Sequence, residues 1–162
     1  MELIEAVKAK NVELVKKLIE DGVDINFQNK YGYTALIIAS HYGNKEICSL
    51  LINSGADVNI RDKHGCTTLF YALSCGLTET CKLLIKFGAD INIQSMFVYT
   101  PLMFALIFEN KKICELLIDA GAELEISNKY YKMLYKKGMK ELAEKLSFNR
   151  RKHLIDFYYK DW

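Results

Sequence analysis

Asp24, Asp57, Asp90 and Glu123 stand 33 residues apart, and Asn26, Asn59 and Asn92 repeat at the same interval. A row of carboxylates raises two chemistries, ion binding and paired acid–base work. The fixed interval argues against both. One acid per unit at one turn is the pattern of a side chain that accepts hydrogen bonds from loop backbone N–H groups. The asparagines are expected to tie one loop to the next. His41, His64 and His153 sit at no helical spacing from a cysteine or a carboxylate pair, so neither a metal site nor a catalytic relay is indicated. No glycine-rich phosphate loop follows a strand. The residues point to a chain without catalysis, cofactor or metal.

The five cysteines agree with this reading. They include no Cys-x-x-Cys pair and no nearby His at zinc-ligand spacing. Cys48, Cys81 and Cys114 are again 33 apart and read as small apolar side chains of a repeated core. Cys66 and Cys75 fall elsewhere in the repeat and are expected to be exposed thiols.

The elements that carry these residues follow from the same period. Gly22-Val23-Asp24, Gly55-Ala56-Asp57, Gly88-Ala89-Asp90 and Gly121-Ala122-Glu123 mark successive copies of one small supersecondary unit stacked on itself. With 162 residues, 51% of them apolar, and a single proline, the chain suits one short solenoid and is too small for two ordinary domains. Full units run 29–61, 62–94 and 95–127. In the first, Thr34 is placed to cap a helix whose Leu36 and Ala39 share a face. Gly43 ends that helix in a left-handed conformation. Asn44 is placed to cap a second helix with Ile47, Leu50 and Leu51 as its apolar stripe. After Gly55 the chain turns outward into a short extended finger. The expected fold class is all-α, a solenoid of helix-turn-helix units joined by β-hairpin-like loops.

These residues resemble the ankyrin repeat. The family's helix-opening motif is matched by Thr34-Ala35-Leu36, Thr67-Thr68-Leu69 and Thr100-Pro101-Leu102, followed by Ala39, Ala72 and Ala105. Its second-helix ending is matched by Leu51 to Asn59, Leu84 to Asn92 and Leu117 to Glu125. The resemblance covers residues 1–147, with 1–28 as an N-terminal cap unit and 128–147 as a shortened C-terminal one, leaving 148–162 as a tail. Lys17 and Lys145 occupy the position of Leu50, Leu83 and Leu116, which gives the end units the polar outer face a stack needs. An array of about five units is expected.

Three departures from the family pattern stand out. Ile37, Phe70 and Met103 replace its usual histidine, so the hydrogen bonds that His makes to neighbouring loops are expected to be missing and the stack to lean on apolar packing. Val98 stands where Gly32 and Gly65 make the finger turn, and a β-branched residue at positive φ costs about 1–2 kcal/mol. A different turn is therefore expected at 95–99. Glu109 replaces the inter-helix glycine, with Asn110 expected to take the left-handed role.

The resemblance implies a curved stack whose concave side, built from finger tips and first helices, binds other proteins. The side chains mapping there include Tyr31, Tyr33, His41, Tyr42, His64, Met96, Phe97, Tyr99, Ile107 and Phe108. Exposed aromatics are the composition of interface hot spots. The competing reading tucks several of these rings between units as core. The expected function is a non-catalytic protein–protein interaction module or scaffold.

Residues 128–162 carry ten Lys/Arg and four Asp/Glu, +6, against −4 for residues 1–127 and +2 for the whole. Within the tail, Arg150-Arg151-Lys152-His153 is followed by Phe157, Tyr158, Tyr159 and Trp162. Packing of this segment as an amphipathic helix on the last unit is favoured. The alternatives are a partner-binding tail, occupation of the chain's own groove or a second copy's (an autoinhibited or self-associating regulator), and phosphate and base contacts to nucleic acid. The opening Met-Glu-Leu-Ile-Glu-Ala-Val-Lys has charges where a secretion signal needs an apolar core. The longest apolar run, 101–108, is far short of the roughly 20 residues a membrane span requires. A cytoplasmic monomer whose partner is another protein, with no membrane or nucleic acid, is the expectation.

Overall fold

The computed structural model describes residues 2–124, 132, 134 and 139–147. Its helices are α1 (Glu2–Lys8), α2 (Val12–Glu20), α3 (Ala35–His41), α4 (Lys45–Asn53), α5 (Thr68–Ser74), α6 (Thr78–Lys86), α7 (Pro101–Ile107), α8 (Lys111–Asp119) and α9 (140–147). No strand occurs among the described residues. Tail residues 148–162 and most of 125–138 lie outside the described residues.

Local chemistry sets the helix ends. Thr34 Oγ1 accepts the Ile37 N–H at 3.2 Å and Thr100 Oγ1 the Met103 N–H at 3.3 Å, capping α3 and α7. Asn11, Asn44 and Asn110 cap α2, α4 and α8 by accepting the N–H three residues on, at 3.0, 3.1 and 3.2 Å. Leu77 holds the same register before α6 and provides no such bond. Helices of seven and nine residues are well below the ~12–15 needed for stability in isolation. Packing must therefore hold them. Within each pair the two helices contact each other. Between pairs, α1, α3, α5 and α7 stack in one layer and α2, α4, α6 and α8 in a second.

The core runs continuously between the two layers. Leu51, Leu84 and Leu117 are wholly buried at one register, as are Cys48, Cys81 and Cys114. Each buried leucine contributes on the order of 1.5–3 kcal/mol. Leu142, Ala143 and Leu146 of α9 continue the buried row. Leu50, Leu83 and Leu116 are half-buried, whereas Lys17 and Lys145 are exposed, and Lys145 forms an ion pair with Asp119.

The fingers are built by side chains that grip backbone. Asn29 and Asp62 each accept two N–H groups of their own turn, from Tyr31 and Tyr33 and from His64 and Cys66, at 2.7–3.1 Å. Asp24, Asp57 and Asp90 accept the N–H of Asn26, Asn59 and Asn92 at 2.8–3.0 Å. The Asn26, Asn59 and Asn92 Oδ1 atoms accept the N–H of Asp57, Asp90 and Glu123 in the next unit at 2.8–2.9 Å. Asp24, Asp57 and Asp90 of the acidic ladder and the asparagine ladder thus make loop-holding hydrogen bonds.

Ile37 and Phe70 are buried and Met103 half-buried, apolar packing at those positions, and side chains at another register add hydrogen bonds between loops. Gln28 Nε2 donates to Gly32 O at 2.8 Å and to Arg61 O at 3.0 Å, and Arg61 Nη2 donates to Gln94 O at 2.7 Å, bridging neighbouring fingers. Two expectations, at Val98 and at Glu109, need correction. Val98 does not force a different turn. It sits at φ 61° and donates to Ser95 O at 2.9 Å, as Gly32 and Gly65 donate to Asn29 O and Asp62 O. The surrounding bonds outweigh its steric cost: Ser95 N–H to Tyr99 O at 3.0 Å and Met96 N–H to His64 O at 2.9 Å. Glu109, at φ 56°, takes the left-handed position itself, because Asn110 is committed to capping α8.

Cys66 is half-buried, not fully exposed, and Cys75 alone of the five is exposed. Burial pushes the Cys48 thiol up to about 11 and those of Cys81 and Cys114 up to about 12. Burial, then the Asp62 charge, pushes Cys66 up to about 11.

Two outcomes follow. Val98→Gly should raise unfolding stability in urea by about 1 kcal/mol. Gly32→Val should lower it by more, since a Cβ there meets Asp62 Cα and Lys63 N at 2.9 Å. Equal effects at the two sites would contradict this geometry. In thiol-reagent titration at about pH 8, one cysteine should react rapidly in the native state and be removed by Cys75→Ser, with the others reacting only on unfolding.

Candidate protein-binding face

Short first helices decide which side chains reach solvent. In α3 every residue from Ala35 to Ser40 is buried, and His41 at its last turn is exposed. The capping residue Tyr42 follows it into solvent, and Ile107 and Phe108 repeat the arrangement at the end of α7. The finger tips add Tyr31, His64, Met96 and Phe97. Exposures are 53% for Tyr31, 51% for Tyr42, 68% for Met96, 66% for Phe97, 41% for Ile107 and 49% for Phe108, high for such large apolar groups. Tyr33 and Tyr99 differ, being half-buried and packed against the core. The core reading of the aromatics therefore applies to Tyr33 and Tyr99, while the other named side chains are exposed to solvent.

The rings are organised by contact. Tyr31 lies 5.9 Å from Tyr33, Tyr33 6.0 Å from Tyr71, Tyr71 5.9 Å from His41 and His41 5.4 Å from Tyr42, centroid to centroid. Three of the four contacts are edge-to-face, the geometry aromatic pairs favour. His64 stacks on Phe97 at 6.4 Å. Phe70, Phe104 and Phe108 form a second run, with centroids 5.5 and 5.0 Å apart. The first string of rings walls a recess of about 270 Å³ that also touches Lys8, Asn29, Ile37 and Ile38. Lys30 Nζ lies 5.0 Å from the Tyr31 ring centroid, and Lys8 Nζ pairs with Glu5 at 2.8 Å.

Tyr71 and Phe104 were not among the residues singled out from sequence. They share one register with Ile38, 33 residues apart, so a comparison of that single column would have flagged the change from aliphatic to aromatic. Among the described residues no three His, Cys, Asp or Glu side chains converge to hold a metal ion. No helix among them is long and apolar enough to cross a membrane.

The Tyr71 hydroxyl donates to Asp62 Oδ2 at 2.5 Å, while Asp62 Oδ1 accepts the two finger N–H groups. Burial, then the bond to Asp62, pushes the Tyr71 phenol well above the ordinary tyrosine range. A group with a raised folded pKa stabilises the fold below its unfolded value, near 10, and loses that contribution as pH climbs toward the folded one. Tyr71→Phe should therefore cost about 1–2 kcal/mol near neutral pH. The gap between variant and parent should narrow in chemical denaturation above about pH 10, and a constant gap would deny the Asp62 contact its role.

A family model described as ankyrin repeats in three copies matches residues 3–95, and one described as ankyrin repeats in many copies matches residues 76–118. No curated protein matches the chain. Ankyrin repeats are generally protein–protein interaction modules, and the family is typically non-catalytic. With the first model spanning more than half of the sequence and the stacked helical pairs running on through both matches, the chain belongs to the ankyrin repeat family.

Proposed function

We propose that the face formed by the finger tips and first helices captures a partner protein, and that the chain works as a non-catalytic interaction module. The carrying observation is the concentration of solvent-exposed aromatic and large apolar side chains on that one face, from Tyr31 and Tyr42 to Met96, Phe97, Ile107 and Phe108. Contiguous exposed apolar surface marks interaction sites, and aromatic rings bring large contact area at low entropy cost. The fingers are fixed by backbone-gripping hydrogen bonds at their bases, so the tips are presented already ordered. A preordered face loses less entropy on binding. Spanned by a partner over three units, it has the reach of a standard interface.

The test replaces rings that the core does not need. In affinity capture with the intact chain, the triple variant Tyr31→Ser, Phe97→Ser, Phe108→Ser should retain less than about one-tenth of the partner bound by the parent. Its circular dichroism should match the parent's and its stability fall by no more than about 1 kcal/mol. Full capture by the folded triple variant would move the site off this face.

A further inference from the structure

Resting on that reading, we infer that the recess walled by Tyr31, Tyr33, Tyr71, His41 and Tyr42 receives one aromatic side chain of the partner, carried on an acidic segment. Size comes first. At about 270 Å³ the recess lies below the range of roughly 300–1,000 Å³ typical of small-molecule sites. It suits a single large side chain. The wall chemistry then selects which one. The rings already stand edge-to-face at 5.4–6.0 Å, and an incoming ring extends the same geometry.

A cationic side chain is the obvious rival, since five rings resemble a cation–π cage. The surroundings argue against it. Lys30 Nζ already lies over Tyr31, and among the described residues no carboxylate lines the recess, Glu5 beside it being paired with Lys8. Asp62, the nearby acid, has its oxygens committed to His64, Cys66 and Tyr71. The charged side chains of the first two finger tips are Lys30 and Lys63, both basic. Like charge repels a basic segment and attracts an acidic one. The same argument disfavours the chain's own Arg150-Arg151-Lys152 segment as the occupant.

The test is selection from a random-peptide display library against the intact chain, followed by binding of the synthesised winners in solution. The proposal expects winners with at least one Phe, Tyr or Trp and an excess of Asp and Glu. Changing that aromatic residue to Ala in the peptide, or Tyr31→Ala with Tyr42→Ala in the protein, should weaken binding about tenfold or more. Lys30→Gln with Lys63→Gln should flatten the loss of affinity with added salt. Basic or purely aliphatic winners overturn the proposal, as does binding indifferent to Tyr31 and Tyr42. If those winners still depend on Phe97 and Phe108, the binding face stands and only the assignment of this recess fails. Two further outcomes would name a different occupant and also overturn it. One is peptide binding seen only after truncation at Ser147, which would seat the tail in the recess. The other is a concentration-dependent dimer lost with Tyr31→Ala and Tyr42→Ala, which would seat a second copy. A selection that enriches nothing overturns it too.

Discussion

No helical pair in this chain can bury its own flanks. Seven- and nine-residue helices present more apolar surface than they can cover, and only a neighbour on each side closes it. Leu51, Leu84 and Leu117 are fully buried because each lies between helices of adjacent pairs. The identity of Cys48, Cys81 and Cys114 follows from the same constraint. A small apolar group fits a crowded inter-helix position, and its burial keeps the thiol protonated and inert. In the register of Leu50, Leu83 and Leu116, Lys17 and Lys145 are exposed and place charge where the inner pairs have leucine.

Stacking by apolar contact alone leaves register soft, and the fingers supply what it lacks. Each asparagine of the ladder accepts an N–H 31 residues on, which permits only one offset between neighbours. Gln28 and Arg61 add bridges at a second register. All these bonds lie at the finger bases. The tips join neighbouring fingers through backbone alone, Lys63 N–H to Tyr31 O and Met96 N–H to His64 O, so their side chains take no part in holding the loops. Tyr31, His64, Met96 and Phe97 can vary without loosening the stack, and that freedom permits a binding face to be written on a repetitive scaffold.

Much of this was legible in the sequence because it repeats. The 33-residue period gave the helical pairs, Thr34 and Asn44 as caps, the buried cysteine column and the loop-holding acids. Misreadings arose where a local preference was weighed without its neighbours. Val98 and Glu109 disfavour positive φ, yet each sits in a turn whose other hydrogen bonds are already fixed. The Gln28 and Arg61 bridges were hidden because unlike residues at one register do a similar task. On the face, type and register marked the exposed rings, but they did not reveal that Tyr33 and Tyr99 lean into the core. That depends on side-chain direction, which a period does not carry.

The two halves of the face are chemically unlike, and one pair of registers explains why. Where the second unit has Asp62 and Tyr71, the third has Ser95 and Phe104, and the first has Asn29 and Ile38. Only the second unit joins its finger to its first helix through a side-chain hydrogen bond between these positions, because only there do a carboxylate and a phenol face each other. That bond holds the Tyr71 ring edge-to-face with both Tyr33 and His41. Phe104, with no hydroxyl to hold, packs instead with Phe70 and Phe108. The face thus has a polar-edged aromatic recess at one end and an apolar run at the other. For the acidic segment proposed above, such a surface would discriminate direction as well as composition, since reversal would place the acidic residues against Phe97 and Phe108.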